Sequence, residues 1–324
     1  MKNYVSDKWN CTTFKDAEEA IKVAKFLWIE LLSFDLQKEY QERIIDYIFE
    51  WYSKWITPNP DVLCNNLIKF DVFLNKAMEK WFDYIATGHY ARTKDCRLYR
   101  AVDLNKDQTY FLAQLSPNQL KDVLFPLGDL TKPEVREIAE KAGIPTAKKK
   151  DSTGICFIGE RNYQKFVSNY LKPNPGDIID VDTGKVVGRH TGLMNYTIGQ
   201  RKQVGLGGFK EKHFVVGKNV EKNILYVAFG EDPDTLYSDE CILENVNWIT
   251  PRHSSFCTAK FRYRGQDFEV AVEEIDGGLL KVSYPEEVAS VTPGQACVLY
   301  LGEECMGSGI IKEVRKKGEK LWYL

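Results

Sequence analysis

The stretch DYIATGHYAR, residues 83–92, decides the fold class of the first half of the chain. Its first six residues predict a short buried strand that ends at Gly88, and helical patterns stand on both sides of it. In sheets built from alternating strands and helices, ligands bind at the carboxyl ends of the strands. The stretch therefore predicts an α/β layer structure with a binding site near Gly88.

Three helices are expected around this strand. The third begins with a capping box at Thr131–Glu134 and stops at Gly143. The first two are indicated by apolar residues at helical spacing, namely Ile44, Ile48, Trp51 and Trp55, and then Leu67, Phe70, Leu74, Ala77, Met78 and Trp81.

Beyond about Ser168 the pattern changes to short β-type runs between glycine and proline turns. Turns are expected at residues 173–176, at Asp276-Gly277 and at Pro293-Gly294. Apolar residues alternate at period two in four runs, which are Ala259, Phe261 and Tyr263; Phe268, Val270 and Val272; Leu280 and Val282; and Ala296, Val298 and Tyr300. The end of the chain is therefore predicted to be a small antiparallel sandwich or barrel.

Composition limits the possible functions. A chain of 324 residues is long enough for two or three domains, and its first residues contain no apolar signal core, so we expect a cytosolic protein. Eight cysteines without a CxxC pair, and four histidines, give little support to a zinc site. The net charge of −2 restricts RNA contact to local patches, at 148–150, 201–202 or 260–264, and solvated surface lysines remain the alternative.

The segment TPNPDVLCNNLIKF, residues 57–70, places a cysteine where a helix is expected to begin. Pro58 and Pro60 stiffen the loop before it. The positive end of a helix lowers the pKa of a nearby thiol, which favours Cys64 as a nucleophile, with Asp61 as its proton relay. The alternatives are an N-cap role for Asp61 and a buried, apolar role for Cys64.

A second cysteine stands in a comparable setting. The segment KKKDSTGICFIG, residues 148–159, places Cys156 after a basic run and a glycine and before a helical pattern. Nearby lysines also favour a thiolate. One of the two cysteines can carry sulfur while the other resolves it, although their sequence separation does not show that they meet.

Six segments, in order along the chain, resemble the motifs of the tRNA-specific 2-thiouridylase family. They are TPNPDVLCNNLIKF (57–70), ATGHYAR (86–92), KDQTYFL (106–112), AKKKDSTGICFIGER (147–161), TIGQRK (197–202) and TPGQA (292–296). The resemblance implies an enzyme that makes 2-thiouridine at the wobble position of tRNA. ATP adenylates the C2 oxygen of the base, and a cysteine persulfide then delivers the sulfur.

The resemblance also implies three domains. Residues 1–167 would form a catalytic domain with a parallel sheet, similar to the adenine-nucleotide alpha hydrolases but truncated at its start. Residues 168–235 would form a central, β-rich tRNA-binding domain, and residues 236–324 an antiparallel β-barrel. The implied cofactors are ATP and Mg²⁺, and the implied partners are tRNA and a sulfur donor protein, either a cysteine desulfurase or a sulfur relay protein.

Site residues follow from the same resemblance. Cys156 would carry the persulfide, and Cys64 would release its sulfur through a transient disulfide, with Asp61 as acid or base. Asn59, Pro60 and Asp61 would border the extruded uridine. The nucleotide would lie against Met1 and Gly88, and tRNA would be contacted by Lys106, Asp107, Gln108, Arg262 and Tyr263. The alternatives are a plain helix start at residues 106–108 and a solvated strand face at residues 262–263.

The sequence departs from the family pattern at one place. Family members begin with a strand and an SGGVDS-type phosphate-binding loop, and these 324 residues contain neither that motif nor a Walker loop. The glycines at 205–208 lie in the β-rich half, where turns explain them. We therefore expect exposed apolar surface and no adenylation by this chain alone. A non-catalytic tRNA-binding remnant and a thiol–disulfide switch protein are the alternative functions.

Overall fold

The computed structural model describes residues 12–53, 59–149, 174–251 and 254–324. They form two compact units. The first unit holds the described residues of Met1–Tyr47, Pro60–Tyr163 and Glu303–Cys305, and the second holds those of Ile48–Asn59, Gln164–Gly302 and Met306–Leu324.

Helices account for most of the first unit. In the described ranges the α-helices are α1 (Thr12–Leu27), α2 (Gln37–Tyr40), α3 (Asp46–Ser53), α4 (Pro60–Cys64), α5 (Leu74–Met78), α6 (Thr109–Leu112), α7 (Pro117–Leu120) and α8 (Lys132–Lys141). Of these, α3 belongs to the second unit from Ile48 onward. Two π-helical segments make longer rods, because Gln41–Ile45 joins α2 to α3 and Asn65–Phe73 joins α4 to α5. Within the described chain, no helix is long and apolar enough to cross a membrane.

The described strands of the first unit are β1 (Ile85–Ala86), β2 (Ala91–Lys94), β3 (Arg97–Arg100) and β4 (Val123–Leu124). Strands dominate the second unit, where they are β5 (Gly176–Asp180), β6 (Val186–His190), β7 (His213–Asn219), β8 (Ile224–Phe229), β9 (Tyr237–Trp248), β10 (Phe256–Lys260), β11 (Phe268–Ile275), β12 (Leu279–Ala289), β13 (Ala296–Leu301), β14 (Glu304–Lys316) and β15 (Glu319–Lys320). The first two residues of β14 belong to the first unit.

The predicted strand before Gly88 exists but is short. β1 pairs in parallel with β4, Ile85 opposite Val123 and Ala86 opposite Leu124. Ile85 is buried, whereas Ala86 is exposed, so the prediction of a fully buried strand is only half right. The helical rod of residues 60–78, which precedes β1, buries Phe70, Leu74 and Ala77, as the spacing of its apolar residues predicted.

One residue of the predicted helical stripe was assigned wrongly. The rod ends at Met78, and Trp81 lies three residues beyond it with a φ of +66° and 94% of its surface exposed. A positive φ is incompatible with a right-handed helix, so the apolar spacing continues past the point where the helix stops. Periodicity identified the buried face here but not the end of the helix.

The helix predicted at Thr131 is confirmed as α8. The Thr131 backbone N–H donates to Glu134 Oε2 at 2.7 Å, as expected in a capping box, and the Thr131 hydroxyl donates to the same oxygen at 2.7 Å. Gly143 follows the helix with a φ of +68°, a conformation that glycine adopts without strain. Both ends of this helix are therefore set by local side-chain and backbone chemistry.

The first unit also contains a hairpin of β2 and β3. Three residues from much later in the chain, Glu303–Cys305, join this hairpin. Glu304 pairs with Tyr99 and Cys305 with Leu98 at the start of β14. The backbone N–H of Arg100 donates to the Glu303 carbonyl at 2.8 Å. These contacts add a third strand segment to the hairpin.

The second unit contains a four-stranded sheet, whose order is β6-β5-β8-β7. β5 and β8 run parallel, and the other two pairs are antiparallel. One face covers a core of buried residues, which are Ile178, Leu193, Tyr196, Ile198, Val204, Val215, Leu225 and Val227.

Six antiparallel strands of the second unit form a closed barrel. Their circular order is β10-β11-β12-β9-β14-β13, and β13 also pairs with β10. Val270, Val272, Leu280 and Val282 are buried inside it, as their alternation predicted. The predicted order of an α/β region, a β-rich central region and an antiparallel barrel is thereby confirmed.

Two details of the barrel differ from the prediction. β10 ends at Lys260, and Tyr263 lies in a turn where Arg264 has a φ of +61°, so the strand does not continue as expected. Residues 296–300 of β13 are all buried. The alternation of apolar residues at 296, 298 and 300 therefore did not distinguish a buried face from an exposed one. A strand covered on both sides is selected only for apolar character.

Candidate active site

Cys64 lies in the short helix α4, which begins the helical rod of residues 60–78. α4 begins at the buried Pro60, and proline suits the first helical position because the N–H it lacks has no partner there. Asn59 immediately precedes the helix, which makes it the cap residue. Asp61 is the second helical residue and is half-buried, so the alternative of Asp61 as N-cap is wrong.

Cys64 is the fifth residue of the helix and is only 2% exposed. The macrodipole acts mainly over the first turn, and Cys64 lies just beyond that turn. Cys64 continues directly into the π-helical segment Asn65–Phe73. Such segments occur often at functional sites, since they change the direction in which side chains point.

Two amide side chains tie this helix to the KDQTYFL segment and to the residues after it. Asn65 is buried, and its Nδ2 donates to the Phe111 carbonyl at 3.0 Å. Gln119 Nε2 donates to the Asn66 carbonyl, also at 3.0 Å. The end of α4 is therefore held against α6 and α7.

Asp107 and Gln108 hold their own loop in place. The Asp107 carboxylate is buried and accepts from the Ala101 N–H at 3.1 Å and the Thr109 hydroxyl at 2.7 Å. Gln108 Oε1 accepts from the Tyr90 N–H at 3.0 Å, and the Gln108 N–H donates to the Tyr90 carbonyl at 2.9 Å. These bonds join the KDQTYFL and ATGHYAR segments.

Gly88 and His89 stand at this junction, after β1. Gly88 is exposed, and a side chain placed there would meet only Leu127, at 3.8 Å. The His89 ring lies between Phe70 and Phe125, and its Nδ1 is 2.8 Å from the Thr87 hydroxyl. Burial, together with the charge of Lys69, lowers the pKa of His89 to about 3, so the imidazole is neutral at pH 7.

Among the described residues, Gly88 alone is predicted to contact the nucleotide. An exposed glycine at the carboxyl end of a parallel strand leaves room for a flat base or a ribose to approach the backbone. In the described part of the first unit, no run of glycines leads into a helix, so no residue is assigned here to the phosphates.

The remaining predicted residues lie elsewhere. Met1 and Cys156 are outside the described residues, and Lys106 is half-buried in the loop before α6. Arg262 and Tyr263 belong to the second unit, where the Arg262 guanidinium donates to the Ala289 carbonyl at 3.2 Å. Lys149 of the predicted basic patch is paired with Asp16 and Glu19 of α1.

Sequence reasoning did not single out Asn65 or His89. A strongly shifted pKa, as at His89, is common at functional sites, but it depends on burial that the sequence does not display. The sequence signal that was available is the position of His89 directly after Gly88. Asn65 gave no signal, because its partner is a backbone carbonyl 46 residues away.

Comparison with known proteins matches the chain along nearly its whole length. Three family descriptions match in order: the tRNA methyl transferase HUP domain over residues 1–160, the tRNA methyl transferase PRC-barrel domain over 164–229 and the aminomethyltransferase beta-barrel domain over 238–311. The tRNA-specific 2-thiouridylase MnmA of Bacillus subtilis is 49% identical over 334 residues, covering 100% of this chain and 90% of that protein.

Two further relatives carry the same name. The protein of Bacillus velezensis is 49% identical over 334 residues, and that of Bacillus cytotoxicus is 48% identical over 333, each with the same coverage. At this identity and coverage the resemblance noted in the six motifs is confirmed. The chain belongs to the tRNA-specific 2-thiouridylase family.

Proposed function

We propose that the residues of this chain transfer sulfur to C2 of the wobble uridine of tRNA, after ATP held by an SGGVDS-type loop has adenylated the C2 oxygen. The coarse activity, 2-thiolation of a tRNA uridine, follows from membership of the family. The observation that carries the finer proposal is the junction of three motifs in the first unit, where Asn65 meets Phe111 and Gln108 meets Tyr90. This junction places Cys64 on an element anchored to the other two segments.

Sulfur transfer requires two cysteines with different tasks. Cys156 carries a persulfide, and the Cys64 thiolate attacks the inner sulfur of that persulfide. A Cys64–Cys156 disulfide forms, and the outer sulfur leaves as hydrosulfide, which attacks C2 of the base. The disulfide is then reduced by an external dithiol. ATP supplies the adenylyl group that converts the C2 oxygen into a leaving group.

Residues around Cys64 have supporting roles. Asp61 exchanges protons with the sulfur species or the base, and its partial exposure is compatible with that role. Asn59 and Pro60, together with Asp61, border the extruded uridine. Gly88 and Met1 lie against the adenine nucleotide.

The tRNA is held at more than one place in this proposal. Lys106, Asp107 and Gln108 form one contact, with the buried Asp107 carboxylate fixing the loop and the loop surface meeting the RNA. Arg262, which is exposed, and Tyr263 form the second. We retain the domain boundaries 1–167, 168–235 and 236–324, with the central domain assigned to tRNA.

The remaining components are also proposals. Mg²⁺ would accompany ATP, because it neutralises the phosphates in adenylyl transfer. A cysteine desulfurase or a sulfur relay protein would load Cys156. All of these reactants occur in the cytosol, which is where we expect the protein to act.

The test is a thiolation assay with two arms. The chain is incubated with ATP, Mg²⁺, a persulfide donor and unmodified tRNA, and 2-thiouridine is measured by mass spectrometry. The second arm uses the same chain preceded by a strand, SGGVDS-type loop and helix from a family member. We expect product in the second arm and none in the first. Product in the first arm would show that the loop is dispensable, and no product in either would refute the function.

A separate experiment tests the cysteine pair. Mild oxidation followed by peptide mapping should yield a Cys64–Cys156 crosslink, because a disulfide requires Cα atoms roughly 4.4–7 Å apart. A folded, tRNA-bound protein that never forms this crosslink would contradict the disulfide step.

A further inference from the structure

A basic loop lies between strands β6 and β7 of the four-stranded sheet in the second unit, directly before β7. The loop comprises residues 201–212, RKQVGLGGFKEK, with four basic residues and one acidic residue in a chain whose net charge is −2. Arg201, Lys202 and Lys210 are exposed. Residues 201–202 are one of the three local patches that the sequence offers for RNA contact, and the loop lies in the central domain assigned to tRNA, but none of its residues has been given a role so far.

The loop is fixed to the sheet, so its charges have defined positions. Val204 is buried in the core of the sheet. Leu206 packs over Gly188 so closely that a Cβ on that glycine would lie 2.6 Å from Leu206 Cδ2. Just before the loop, Gly199 donates to the Val215 carbonyl at 2.8 Å, and Val215 donates to the Gln200 carbonyl at 2.9 Å.

The side chain of Gln200 braces the start of the loop. Its Oε1 accepts from the Thr197 N–H at 3.0 Å, and its Nε2 donates to the Lys202 carbonyl at 2.9 Å. At the other end, the Phe209 ring packs on Phe229 with centroids 4.9 Å apart. A braced loop loses less conformational entropy on binding than a free one.

The cations of the loop have few protein partners. Lys212 pairs with Glu231. In the part of the chain that the structure describes, Arg201, Lys202 and Lys210 have no carboxylate within ion-pair distance. Their positive charge is therefore directed to solvent and available to an anionic ligand.

The backbone of the loop is equally available. A Cβ placed on Gly205, Gly207 or Gly208 would have nothing within 4 Å, so the space above these glycines is open. Among the described residues, their N–H groups have no acceptor. Exposed cations beside free N–H groups form the donor set that binds phosphate oxygens.

We propose that the basic loop, residues 201–212, binds the phosphodiester backbone of the tRNA. The proposal rests on the proposed function, in that tRNA is the substrate. The cations supply the salt-dependent attraction, and the glycine backbone permits a phosphate to approach closely. Contacts of this kind are made to phosphates, so they position the tRNA without selecting its sequence.

The first experiment measures the salt dependence of tRNA binding by the full 324-residue chain. Arg201→Ala, Lys202→Ala and Lys210→Ala are compared with Lys222→Ala. Lys222 is also exposed, and it lies at the opposite end of β7, a strand whose seven residues span roughly 20 Å. All four variants change the net charge equally, so only position distinguishes them.

We expect each loop variant to bind tRNA about threefold to tenfold more weakly at low salt. The slope of log affinity against log salt should fall by roughly 0.7–0.9 for each phosphate that the variant no longer neutralises. Lys222→Ala should match the wild type in both affinity and slope. Equal slopes in all variants, or an equal loss in Lys222→Ala, would overturn the proposal.

The second experiment tests the close approach to the backbone. Gly207 does not have a positive φ, and its Cβ position is open, so Gly207→Ala adds one methyl group without strain. Thermal stability should be unchanged while tRNA affinity falls. Unchanged affinity would exclude the backbone contact. If wild-type protein binds no tRNA at all, the proposed function fails instead, which separates the two outcomes.

Discussion

The first unit and the barrel bury their apolar residues in different ways. In the described first unit, the parallel sheet is a pair of two-residue strands, and large side chains remain exposed, including Trp28 at 95% and Trp81 at 94%. In the barrel, six strands pair around a closed circle over an apolar core. Asp61 and Cys64, the predicted reactive residues that the structure describes, lie in the short helix α4 of the first unit, whereas the barrel is built from paired strands. The predicted chemistry thus belongs to the unit with the smaller sheet.

The largest effect should come from exchanging cysteines in the two regions. Cys297 is fully buried inside the barrel, where burial and the neighbouring Cys241 thiol raise its pKa, so it stays a neutral thiol. Cys64→Ser should lower 2-thiouridine formation by about 10³-fold or more in the assay arm that yields product. Cys297→Ala should stay within about twofold of the wild type. Equal losses in the two variants would mean that the position of the thiol does not matter.

The next effect concerns stability and compares two leucines. Leu280 is buried in the barrel, and Leu280→Ala should lower the free energy of unfolding by about 2–4 kcal/mol, because apolar burial is reduced and a cavity is left behind. Leu124, on β4, is 46% exposed, and Leu124→Ala should cost less than about 1 kcal/mol. Urea unfolding with hydrogen exchange, read separately for each unit, measures both. A larger loss for Leu124→Ala would reverse the comparison.

Between pH 7 and pH 5, the change in stability should be larger in the first unit than in the barrel. The pKa of His89 is lowered to about 3 in the folded state, so between pH 6.5 and 3 the unfolded chain binds a proton that the folded chain does not. Stability is therefore complete above pH 6.5 and falls as the pH falls, by about 1.4 kcal/mol per unit. From pH 7 to pH 5 the first unit should lose about 2 kcal/mol.

His89→Asn keeps a polar side chain but does not titrate, so it should flatten this pH dependence. Hydrogen exchange in β1 and α5 at the two pH values reports on the first unit. Exchange in the barrel strands is the internal control, since the described part of the barrel contains no histidine. An unchanged slope in His89→Asn would assign the pH response to other groups.

The smallest effect is expected at an exposed tryptophan. Trp28 has a φ of +56°, which strains a bulky residue, so Trp28→Gly should change stability by less than about 1 kcal/mol and reduce binding of a hydrophobic dye. Trp322 of the second unit is also exposed, but its ring lies 5.1 Å from that of Tyr226. Trp322→Gly should be the more destabilising of the two. The reverse order would show that exposure alone does not identify a dispensable ring.

Local signals were the most predictable from sequence. The capping box at Thr131 and the stop at Gly143 depend on neighbours within a few residues, and both were found as expected. The barrel was predictable because alternation in β11 and β12 reflects one buried face. Trp81 and Tyr263 were misassigned, since a side-chain period says nothing about where the backbone turns.

The candidate site was less predictable for a related reason. Asp107 is predicted to contact tRNA, and the sequence did not show that its carboxylate is buried and accepts from the backbone of Ala101. The contact of Asn65 with Phe111 likewise joins residues far apart in sequence. Backbone donors and acceptors are the same at every residue, so no sequence pattern identifies which of them a side chain will meet. The roles of Cys64 and Asp61 stay predictions.

The strand segment 303–305 has a consequence for the order in which the protein is synthesised. The guanidinium of Arg92 bonds to Glu303, 211 residues later, at 2.8 Å, and β3 pairs with Glu304 and Cys305. A ribosome releases the amino-terminal half first, and domains generally fold as they emerge. The β2–β3 hairpin must then wait with an unpaired edge while the central sheet and most of the barrel are translated. During that interval the edge is open to pairing with other chains.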